Sequence, residues 1–562
     1  MTRVTRRSCL ATFAAAALIN QRHAAFAQAE LEADVIIIGG GLGGCAAALS
    51  ALAQGRRVVM TEPSDWIGGQ LTSQGVPPDE HRWIETRGAN ASYRELRTRI
   101  RDYYRQHTPL VAAARDNPLL NPGNGTVSRL CCEPRIAVAV LEQWLASYVA
   151  AGKLQILHNT TPVAADVAGD RVRAVTVATE TDGSRRVLRG NMFIDASELG
   201  DLLPLTGTEF VTGAESQAET GELHAAEVAQ PENQQAFTVC FAVEHRPGEE
   251  HLLARPAEYD FWRDFMPGLS PPWPGKLLDW TYTHPRSGQP KRLGFDPSGA
   301  AVPGGINLWT YRRIIDHRQF AAGQYGGDVS LINWPQNDYL LGNLVGVTSE
   351  EAQQHIARAG QLSLSLLYWM QTEAPRPDGG QGFPGLRLRP DIMGTPDGLA
   401  KMPYVREARR IAAEFTVLEQ HVGRTQREQI TGHRGSDLKA AEFPDSVGVG
   451  SYAIDLHPTS RGDNYIDFET LPFQIPLGAL LPVRLQNLLP ANKNIGTTHL
   501  TNGCYRLHPV EWGIGEAVGA LACFALAKRV APRTVRSDPR LLSEFQTLLQ
   551  QQGVELAWEN LA

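Results

Sequence analysis

The chain of 562 residues is too long for one hydrophobic core, so its length predicts two closely packed domains. Apolar residues make up 43% of it and charged residues 20%, and the formal charge of −7 argues against nucleic acid or an anionic membrane surface as a partner. Beyond the N-terminus we find no run of about eighteen apolar residues, which argues against a membrane span in the mature chain.

Residues 1–27 predict an export signal. Three arginines precede the apolar run Cys9–Ile19, and Ala25-Phe26-Ala27 has the form of a cleavage site. The pair Arg6-Arg7 resembles a twin-arginine signal, which directs the export of folded proteins, although Cys9 stands where phenylalanine is common. An ordinary secretory signal and an uncleaved membrane anchor are the alternatives. We expect a periplasmic or secreted protein, exported by the twin-arginine route.

A strand, a helix and a second strand are predicted within about thirty residues, which is the length of a βαβ unit. The β-branched run Asp34–Ile38 indicates a buried parallel strand, the Ala-rich segment Leu42–Gln54 a helix, and Arg57–Thr61 the next strand. The two strands should therefore lie side by side in a parallel sheet.

The loop between the first strand and the helix has the spacing of a dinucleotide-binding motif. Gly39 allows a tight turn, Gly41 lets a diphosphate approach the backbone, and Gly44 lets helix and strand pack closely. Gly43 lies at the start of the helix, whose unpaired N–H groups favour phosphate. Glu62 ends the second strand, where a carboxylate accepts hydrogen bonds from ribose hydroxyls. Together these features predict an α/β fold with a Rossmann-like dinucleotide-binding domain.

Later elements divide the chain into domains. A helix is predicted at Arg135–Ala151 and short strands at 154–159, 162–167, 171–178 and 191–195. Tryptophans and prolines cluster between residues 216 and 445, where helices are predicted at Ser349–Thr372 and Met402–His421. We interpret 34–215 and 446–562 as two parts of the dinucleotide-binding domain, the second ending in a C-terminal helix. Residues 216–445 are then an inserted α+β substrate domain.

Three further segments resemble the glutathione-reductase-like superfamily of FAD proteins. Trp66–Thr72, with Gly69 and Gln70, resembles the Gly-Gly segment that lies against the ribitol and flavin. Phe193–Asp201, with Asp195, resembles the later strand and turn that return to the dinucleotide. Residues 487–496 resemble the last strand beside the ribitol, with Ala491-Asn492 in place of the usual Gly-Asp pair. The resemblance implies that Asn492 or Asn494 makes the ribitol contact.

The whole segment from Asp34 to about Lys528 resembles a family of FAD-dependent oxidoreductases that are often secreted bacterial proteins. Residues 331–339, 374–379, Asp455–Pro458 and Gly503–Pro509 look like signatures of that family. The resemblance implies FAD as the cofactor and redox chemistry, without naming a reaction.

A helix from Pro509 to Leu526 is expected to aim its positive N-terminus at the pyrimidine edge of the flavin, where it would favour a reduced, anionic ring. Gly515, with Gly513 and Gly519, would let this helix approach its neighbours, and we also count it among the cofactor contacts. The alternative is a simple core helix with small packing residues.

Substrate oxidation needs a base, and histidine titrates near neutral pH. The candidates are His499, His508 and His457, with Arg506 and Tyr505 as contacts for an anion or a hydroxyl. Each histidine could instead be a structural hydrogen-bonding group. Lys493 could lie beside the flavin or be solvated.

The inserted region is expected to supply the other wall of the site. Its aromatic and polar residues suit a sugar, a polyol or a polar acid; they are Asn333, Trp334, Asn337, Asp338, Tyr339, Arg406 and Arg410. Trp334-Pro335 could equally mark the domain core. No second glycine fingerprint follows a strand, so no NAD(P)H domain is expected, and electrons would leave to oxygen, a quinone or a small redox protein.

The cysteines show no CxxC pair and no zinc-like spacing, so no metal site is predicted. Cys131-Cys132 could form a vicinal disulfide or, more simply, be two small buried side chains or contribute one bridge to a distant cysteine. Together, the predicted FAD cofactor, the candidate bases and the polar residues of the inserted region favour a dehydrogenase or oxidase that acts on a C–OH or C–N bond of a small polar molecule. A secreted polysaccharide lyase or hydrolase with a vestigial dinucleotide fold, and a flavin-binding electron carrier, are the alternatives.

Overall fold

The computed structural model describes residues 29–559, so the predicted export signal at residues 1–27 lies outside the described range. Its helices are α1 Leu42–Ala53, α2 Ala91–His107, α3 Ala112–Arg115, α4 Pro134–Ala150, α5 Leu202–Thr206, α6 Gln217–Thr220, α7 Tyr259–Asp264, α8 Leu308–Tyr311, α9 Ser349–Thr372, α10 Pro390–Met393, α11 Glu419–Val422, α12 Arg424–Thr431, α13 His499–Tyr505, α14 His508–Lys528, α15 Pro532–Ser537 and α16 Pro539–Gln551. Its strands are β1 Ala29–Ile38, β2 Val58–Thr61, β3 Leu154–Leu157, β4 Thr160–Ala168, β5 Arg171–Thr179, β6 Arg185–Asp195, β7 Phe210–Val211, β8 Phe237–Thr238, β9 Phe241–His245, β10 Thr281–Thr283, β11 Pro290–Arg292, β12 Arg313–Ile315, β13 Val329–Ile332, β14 Asp338–Tyr339, β15 Leu386–Leu388, β16 Arg410–Ile411, β17 Ser446–Gly450, β18 Ile454–Leu456, β19 Ile466–Phe468, β20 Phe473–Pro476 and β21 Leu488–Pro490.

The main sheet of the described residues has seven strands in the order β3-β2-β1-β6-β5-β4, with β21 also paired to β6. Strands β3, β2, β1, β6 and β21 run parallel, whereas β5 and β4 are antiparallel additions at one edge. Val35 and Ile37 face one hydrophobic cluster, and Ile36 and Ile38 face another. Both faces of β1 are covered, which explains its continuous apolar run and confirms the predicted parallel sheet.

The long helix α14 packs closely against α1. A Cβ at Gly515 would lie 2.0 Å from Gly43 O, and one at Gly519 would lie 2.5 Å from Ala47 O. The predicted close approach is confirmed at these two positions, but a Cβ at Gly513 would meet nothing nearer than 3.8 Å. Helix α14 has the length and apolarity of a membrane span, yet 89% of its apolar window is buried inside the protein, as in a core helix.

A second hydrophobic cluster lies apart from the core of the main sheet. Its members run from Phe237 to Tyr465 and include several tryptophans. Trp280 stacks on Phe295 with 5.0 Å between ring centroids, and it meets Trp369 edge-on at 4.8 Å. Strands β13, β9 and β15 of the antiparallel sheet β12-β13-β9-β15 and helix α9 contribute to this cluster. The helix predicted at 349–372 is confirmed as α9, while the domain limits at 216 and 445 stay predictions.

The helix expected at Met402–His421 is wrong. The segment contains only β16 and the first residues of α11, and the rest is irregular. Pro403 lies near its start, and Arg410 donates to Glu407 Oε1 and to Gly213 O, at 2.6 Å in each case. These buried tertiary contacts take the place of the intrahelical hydrogen bonds that the composition favours.

All six cysteines between residues 29 and 559 are buried free thiols. Cys131 and Cys132 are therefore two small buried side chains, with no vicinal disulfide and no bridge to another described cysteine.

Candidate functional site

The glycine loop joins β1 to α1 in a conformation that excludes larger residues. Gly39 has a φ of +103°, and a Cβ there would lie 2.2 Å from Ala196 O. A Cβ at Gly44 would lie 2.1 Å from Gly39 O. Backbone atoms close off both positions, in agreement with the turn and the close packing predicted for the first and third glycines.

Gly41 differs from these glycines because its neighbours are side chains. A Cβ there would meet atoms of Glu198, Glu511 and Asn492 at 3.1, 3.4 and 3.7 Å. Within the described residues, the N–H groups of Gly41 and Leu42 have no acceptor. The start of α1 therefore presents open donors to this space, which we call the cradle, and such a helix N-terminus favours an anion.

Glu62 directly follows β2 and is held in place by three hydrogen bonds. Gly40 N–H donates to its Oε2 at 3.2 Å, and the N–H and Oγ of Ser64 donate to its Oε1 at 3.0 and 2.7 Å. Burial raises the pKa of Glu62 to about 8. Glu62, Gly41 and Gly69 line one cavity of about 220 Å³, so the predicted ribose-binding acid and the glycine loop share one space.

Buried polar atoms without partners continue from the cradle. Gln70 donates from Nε2 to Arg506 O at 2.9 Å and contacts Glu511, but its Oε1 has no partner. Both amide atoms of Gln74 also lack one. Such atoms are rare in folded proteins unless a ligand or water satisfies them. Together with the open N–H groups, they fit an extended dinucleotide that runs from the glycine loop past Gln70.

Charged side chains surround the cradle. Lys493 pairs with Glu198 Oε2 and donates to Asn492 Oδ1 at 3.0 Å, whereas Glu198 Oε1 is buried without a partner. Glu511 Oε1 accepts from Gly43 N–H at 3.1 Å, and burial raises the pKa of Glu511 to about 7. An anionic diphosphate would attract the Lys493 ammonium and repel the Glu198 carboxylate, so its binding requires this ion pair to rearrange.

Three residues expected to contact the cofactor make contacts within the protein, and their contact with the cofactor stays a prediction. Asp195 accepts from Ser197 N–H at 3.1 Å and from Ser197 Oγ at 2.6 Å, which fixes the turn after β6. Asn494 donates to Asp195 O at 3.0 Å and so ties the loop after β21 to β6. Gly515 faces α1 rather than the cradle, because the close contact of the two helices requires it.

A group of polar side chains, here called the polar cluster, lies beyond Gln70. Its members are buried or half-buried and come from distant parts of the chain; they are Asp79, Tyr311, Arg312, Tyr404, Tyr452, Asp455, His457 and Arg506. Arg506 donates to the Tyr404 hydroxyl at 3.1 Å and to Asp455 O at 3.0 Å. Since Gln70 donates to Arg506 O, the polar cluster lies one hydrogen bond from the residues beside the cradle.

The charges of the polar cluster face each other without hydrogen bonds. Asp79 Oδ1 lies 3.6 Å from Arg312 Nη2, and Asp455 Oδ2 lies 3.7 Å from Arg506 Nη2. No described residue donates a hydrogen bond to either carboxylate, and the Nε atoms of both arginines are buried without a partner. Burial favours a raised pKa for Asp455, but His457 and Arg506 outweigh it and hold the pKa at about 2. Charges of both signs therefore lie together in the polar cluster without hydrogen bonds between them.

Two tyrosines add further open groups to the polar cluster. The hydroxyls of Tyr311 and Tyr452 make no hydrogen bond with any described residue, although burial raises the pKa of both. Both hydroxyls stay protonated near neutral pH and are available as donors. The polar cluster therefore holds hydroxyl and charged groups that a polar ligand could satisfy.

His457 is oriented by a buried carboxylate. Its Nδ1 lies 2.6 Å from Asp338 Oδ2, which also accepts from the Tyr465 hydroxyl at 2.6 Å. Burial favours a raised pKa for Asp338, but the charge of Arg406, 3.0 Å away, outweighs it and lowers the pKa. Because Asp338 stays ionised, His457 donates from Nδ1, and its Nε2 lies 3.6 Å from Asp455 Oδ2. His457 is therefore held between two carboxylates, with Nε2 turned towards Asp455.

Two of the other catalytic candidates are structural. His508 accepts from Asp79 N–H at 3.2 Å and donates to Val76 O at 3.1 Å, and burial lowers its pKa to about 4. Both ring nitrogens are thus occupied by backbone groups. Tyr505 donates to Gln474 O at 2.7 Å inside the hydrophobic core, so its hydroxyl is occupied by a backbone group.

His499 lies in a neighbouring cavity. Its Nδ1 lies 3.0 Å from Glu407 Oε1; burial by itself lowers its pKa, but the Glu407 charge outweighs this and raises it. His499 and His457 both line this cavity of about 100 Å³. His457 is therefore shared by the polar cluster and this cavity.

One group of potential metal ligands contrasts with the prediction of no metal site. Ligand atoms of Asp316, His317 and Asp328 lie within 4.8 Å of one another. Arg313 pairs with both carboxylates, at 3.3 and 2.7 Å, and Arg318 pairs with Asp316 at 2.8 Å. The group is accordingly a network of salt bridges.

The inserted region contributes only part of what was expected. Asp338 and Arg406 lie beside His457. The remaining candidates have hydrogen bonds, ion pairs or hydrophobic contacts within the protein; they are Asn333, Trp334, Asn337, Tyr339 and Arg410. Asn333 Nδ2 and Trp334 Nε1 are nevertheless buried without a partner.

Sequence reasoning missed most of the polar cluster. Asp79, Tyr311, Arg312, Tyr404 and Tyr452 belong to no motif and come from separate segments, so no local spacing marks them. Asp455 lies in the Asp455–Pro458 segment that resembles a family signature, and this signal could have found it.

Comparison with known proteins gives one match that covers most of the chain. A family model described as FAD dependent oxidoreductase matches residues 34–549. No curated protein matches the chain in sequence.

Solved structures resemble the chain only distantly. A geranylgeranyl bacteriochlorophyll reductase-like protein from Thermoplasma acidophilum is 10% identical, with 93% of this chain and 85% of that chain covered and a TM-score of 0.29. The OxyS anhydrotetracycline hydroxylase from Streptomyces rimosus is 10% identical, with coverages of 93% and 66% and a TM-score of 0.31. L-proline dehydrogenase from P.horikoshii is 15% identical, and the match spans 33% of this chain but only 24% of that protein, with a TM-score of 0.17. Scores this low carry no argument about the reaction.

Proposed function

Because the chain belongs to the family of FAD-dependent oxidoreductases, we propose that it oxidises a small polar molecule at a C–OH or C–N carbon. FAD is its cofactor. The observation that carries the proposal is the polar cluster, whose open charges and hydroxyls lie one hydrogen bond beyond Gln70. A polar substrate would satisfy these groups.

The chain's own residues account for cofactor binding in this proposal. Glu62 would accept from the ribose, and the N–H groups of Gly41 and Leu42 would donate to the diphosphate. Gln70 and Gln74 supply the unpartnered amide atoms further along. Bound FAD supplies the acceptor for the two electrons of the substrate C–H bond.

His457 is the proposed base. In the neutral form of the ring, its Nε2 would accept the proton from the substrate hydroxyl or ammonium group, while Asp338 holds the ring and stabilises the imidazolium that forms. Arg506 and the two open tyrosines would orient the substrate. The inserted segment contributes Asp338, Arg312 and Tyr404, which is why we propose it as the substrate side of the enzyme.

The proposal also covers the electron acceptor and the location of the protein in the cell. Oxygen, a quinone or a small redox protein would accept the electrons. The arginine pair in residues 1–27 supports export to the periplasm by the twin-arginine route.

The test is anaerobic reduction of the purified yellow protein by candidate alcohols and amines, followed by stopped-flow absorbance. His457→Asn should lower the rate of flavin bleaching by about 100-fold or more without changing FAD content, because a positioned base contributes at least that factor. His433→Asn, at an exposed histidine, is the matched control and should react like the parent.

Two outcomes would replace the proposal. A colourless protein that cleaves polysaccharide would indicate the lyase or hydrolase. A yellow protein that no candidate bleaches, but that exchanges electrons with redox proteins, would indicate the electron carrier.

A further inference from the structure

The polar cluster carries equal numbers of opposite charges. Arg312 and Arg506 are opposed by Asp79 and Asp455, at 3.6 and 3.7 Å. Behind them, Arg406 and Asp338 form a separate pair at 3.0 Å. Each cation therefore lies beside an anion, and the charges of the polar cluster cancel when His457 is neutral.

The carboxylates of the Asp79–Arg312 and Asp455–Arg506 pairs accept no hydrogen bonds, whereas the carboxylate of the Asp338–Arg406 pair is fully hydrogen-bonded. Asp338 also accepts hydrogen bonds from Thr238 at 2.7 Å and from Tyr465 at 2.6 Å, so its oxygens are satisfied. Asp79 and Asp455 accept none, and their separations from the arginines exceed the roughly 2.7–2.9 Å of a charge-assisted hydrogen bond. Both carboxylates are poised for a donor, and both guanidinium groups for an acceptor.

The balance of charge restricts the ligand. A ligand of net positive or negative charge would leave one buried charge uncompensated, which is costly. A neutral ligand avoids that cost, but only one with separated charges would give charge-assisted hydrogen bonds to both signs at once. An uncharged polyol would offer weaker partners to all four groups.

We propose that the substrate is a small zwitterion of the α-amino acid type, with its carboxylate on Arg312 and Arg506 and its ammonium on Asp79 and Asp455. This inference rests on the proposed function, since it names the substrate of the same site. His457 Nε2, 3.6 Å from Asp455, is placed to accept a proton from the ammonium group.

The reaction of such a substrate balances with the groups available. One ammonium proton passes to His457, and the α-carbon C–H bond breaks with its electron pair leaving as hydride to oxidised flavin. The C–N bond becomes a C=N bond, and water then hydrolyses the iminium to a keto acid and ammonium. Of the two bond types in the proposed function, this inference therefore selects the C–N bond as the one oxidised.

The first experiment measures binding to the FAD-loaded protein by anaerobic calorimetry. The probes are the L- and D-enantiomers of the common amino acids. Two analogues of alanine serve for comparison: lactate, which lacks the ammonium group, and ethylamine, which lacks the carboxylate. Glycerol is the uncharged polyol. We expect at least one amino acid to bind about tenfold more tightly than its hydroxy-acid and amine analogues. Equal or tighter binding of the hydroxy acid, the amine or glycerol, with no amino acid preferred, would overturn the proposal.

The second experiment inverts the preference. Asp79→Asn removes one negative charge, so the hydroxy acid should gain on the amino acid by about tenfold; Arg312→Gln should shift the preference in the same manner towards the amine. A general structural defect would weaken all probes together and would not invert their order. Asp378→Asn, at an exposed aspartate, is the matched control and should keep the parent's order.

Failure of this inference and failure of the proposed function give different results. Bleaching by an alcohol or hydroxy acid, with amino acids inert, would keep the oxidoreductase and remove the zwitterion. Preferred binding of amino acids without bleaching would keep the zwitterion site and remove the oxidation.

Discussion

The cradle and the polar cluster are both built for polar ligands, but from different parts of the chain. The cradle uses backbone: Gly39 and Gly44 are closed off by backbone oxygens, and open N–H groups point from the start of α1. The polar cluster uses side chains, with charges such as Asp79 and Arg312 held 3.6 Å apart. Substitutions should therefore act on the cradle through space and backbone conformation, and on the polar cluster through charge.

The largest effect is expected at Gly39, where a substitution tests whether the cradle depends on backbone conformation and space. Gly39→Ala combines a φ of +103° with a contact of 2.2 Å to Ala196 O, so it should lower the free energy of unfolding by about 3 kcal/mol. Denaturant unfolding measures the loss, and FAD absorbance should fall with it.

Gly169→Ala is the control that separates backbone strain at a positive φ from a steric clash of the new Cβ. Gly169 also has a positive φ, of +57°, but no atom within 4 Å of its Cβ position. Its substitution should lower the free energy of unfolding by only about 1 kcal/mol. Equal losses at the two glycines would contradict the steric account of the loop.

The pH dependence of stability probes the buried carboxyl beside the loop. Burial raises the pKa of Glu62 to about 8 from an ordinary 4.5, so the folded chain favours the protonated acid. Its contribution to stability is full below pH 4.5 and is lost as the pH rises through 8. The FAD-free protein should therefore lose stability over this interval, by an amount on the order of a few kcal/mol for this one group.

Glu62→Gln should flatten that pH profile, because the amide does not titrate. Unfolding in denaturant at several pH values measures the slope for the parent and the variant. Asp378→Asn, an exposed substitution, should keep the parental slope. An unchanged slope in Glu62→Gln would show that this carboxyl is ionised in the folded chain across the interval.

Gly41→Ala tests whether a glycine of the same loop serves the cofactor rather than the stability of the fold. The new Cβ would meet only side chains, at 3.1–3.7 Å, so stability should change little. The diphosphate could no longer approach the backbone, and we expect FAD binding to weaken by about tenfold or more, measured by flavin fluorescence. Gly513→Ala, where a Cβ meets nothing nearer than 3.8 Å, is the control and should keep the parental affinity. An unaltered affinity in Gly41→Ala would remove the diphosphate from the cradle.

The smallest expected effect concerns the charged groups that surround the cradle. Glu198→Gln removes a negative charge beside Gly41 and frees Lys493, so FAD should bind more tightly, by roughly twofold to tenfold. The gain should shrink at high salt if it acts through charge. Weaker binding would show instead that the Glu198–Lys493 pair supports the cofactor. Glu95→Gln, at an exposed glutamate, serves as the control.

Local patterns predicted the cradle well. Gly39, Gly41, Gly44 and Glu62 are close in sequence, and the strand and helix around them have short-range signals, so spacing alone placed them together. The same reasoning failed at Met402–His421, where helix-favouring composition was outweighed by buried partners such as Glu407 and Arg410. A propensity summed over neighbours contains no information about such distant partners.

The catalytic candidates show the same limit. His457, His499 and His508 look alike in sequence, and only their partners distinguish them: Asp338, Glu407 and two backbone groups. Those partners lie as far apart in the chain as Asp338 and His457, so no spacing rule relates them.

The amino-acid sequence by itself determined the βαβ unit, the glycine loop and the dinucleotide class of ligand, because each depends on residues a few positions apart and on backbone rules. Only the tertiary structure decided which polar residues share one space. That assembly follows from the packing of Asp79, Arg312, Asp455 and Arg506 from remote segments, where burial and charge pairing, rather than local order, fix the chemistry.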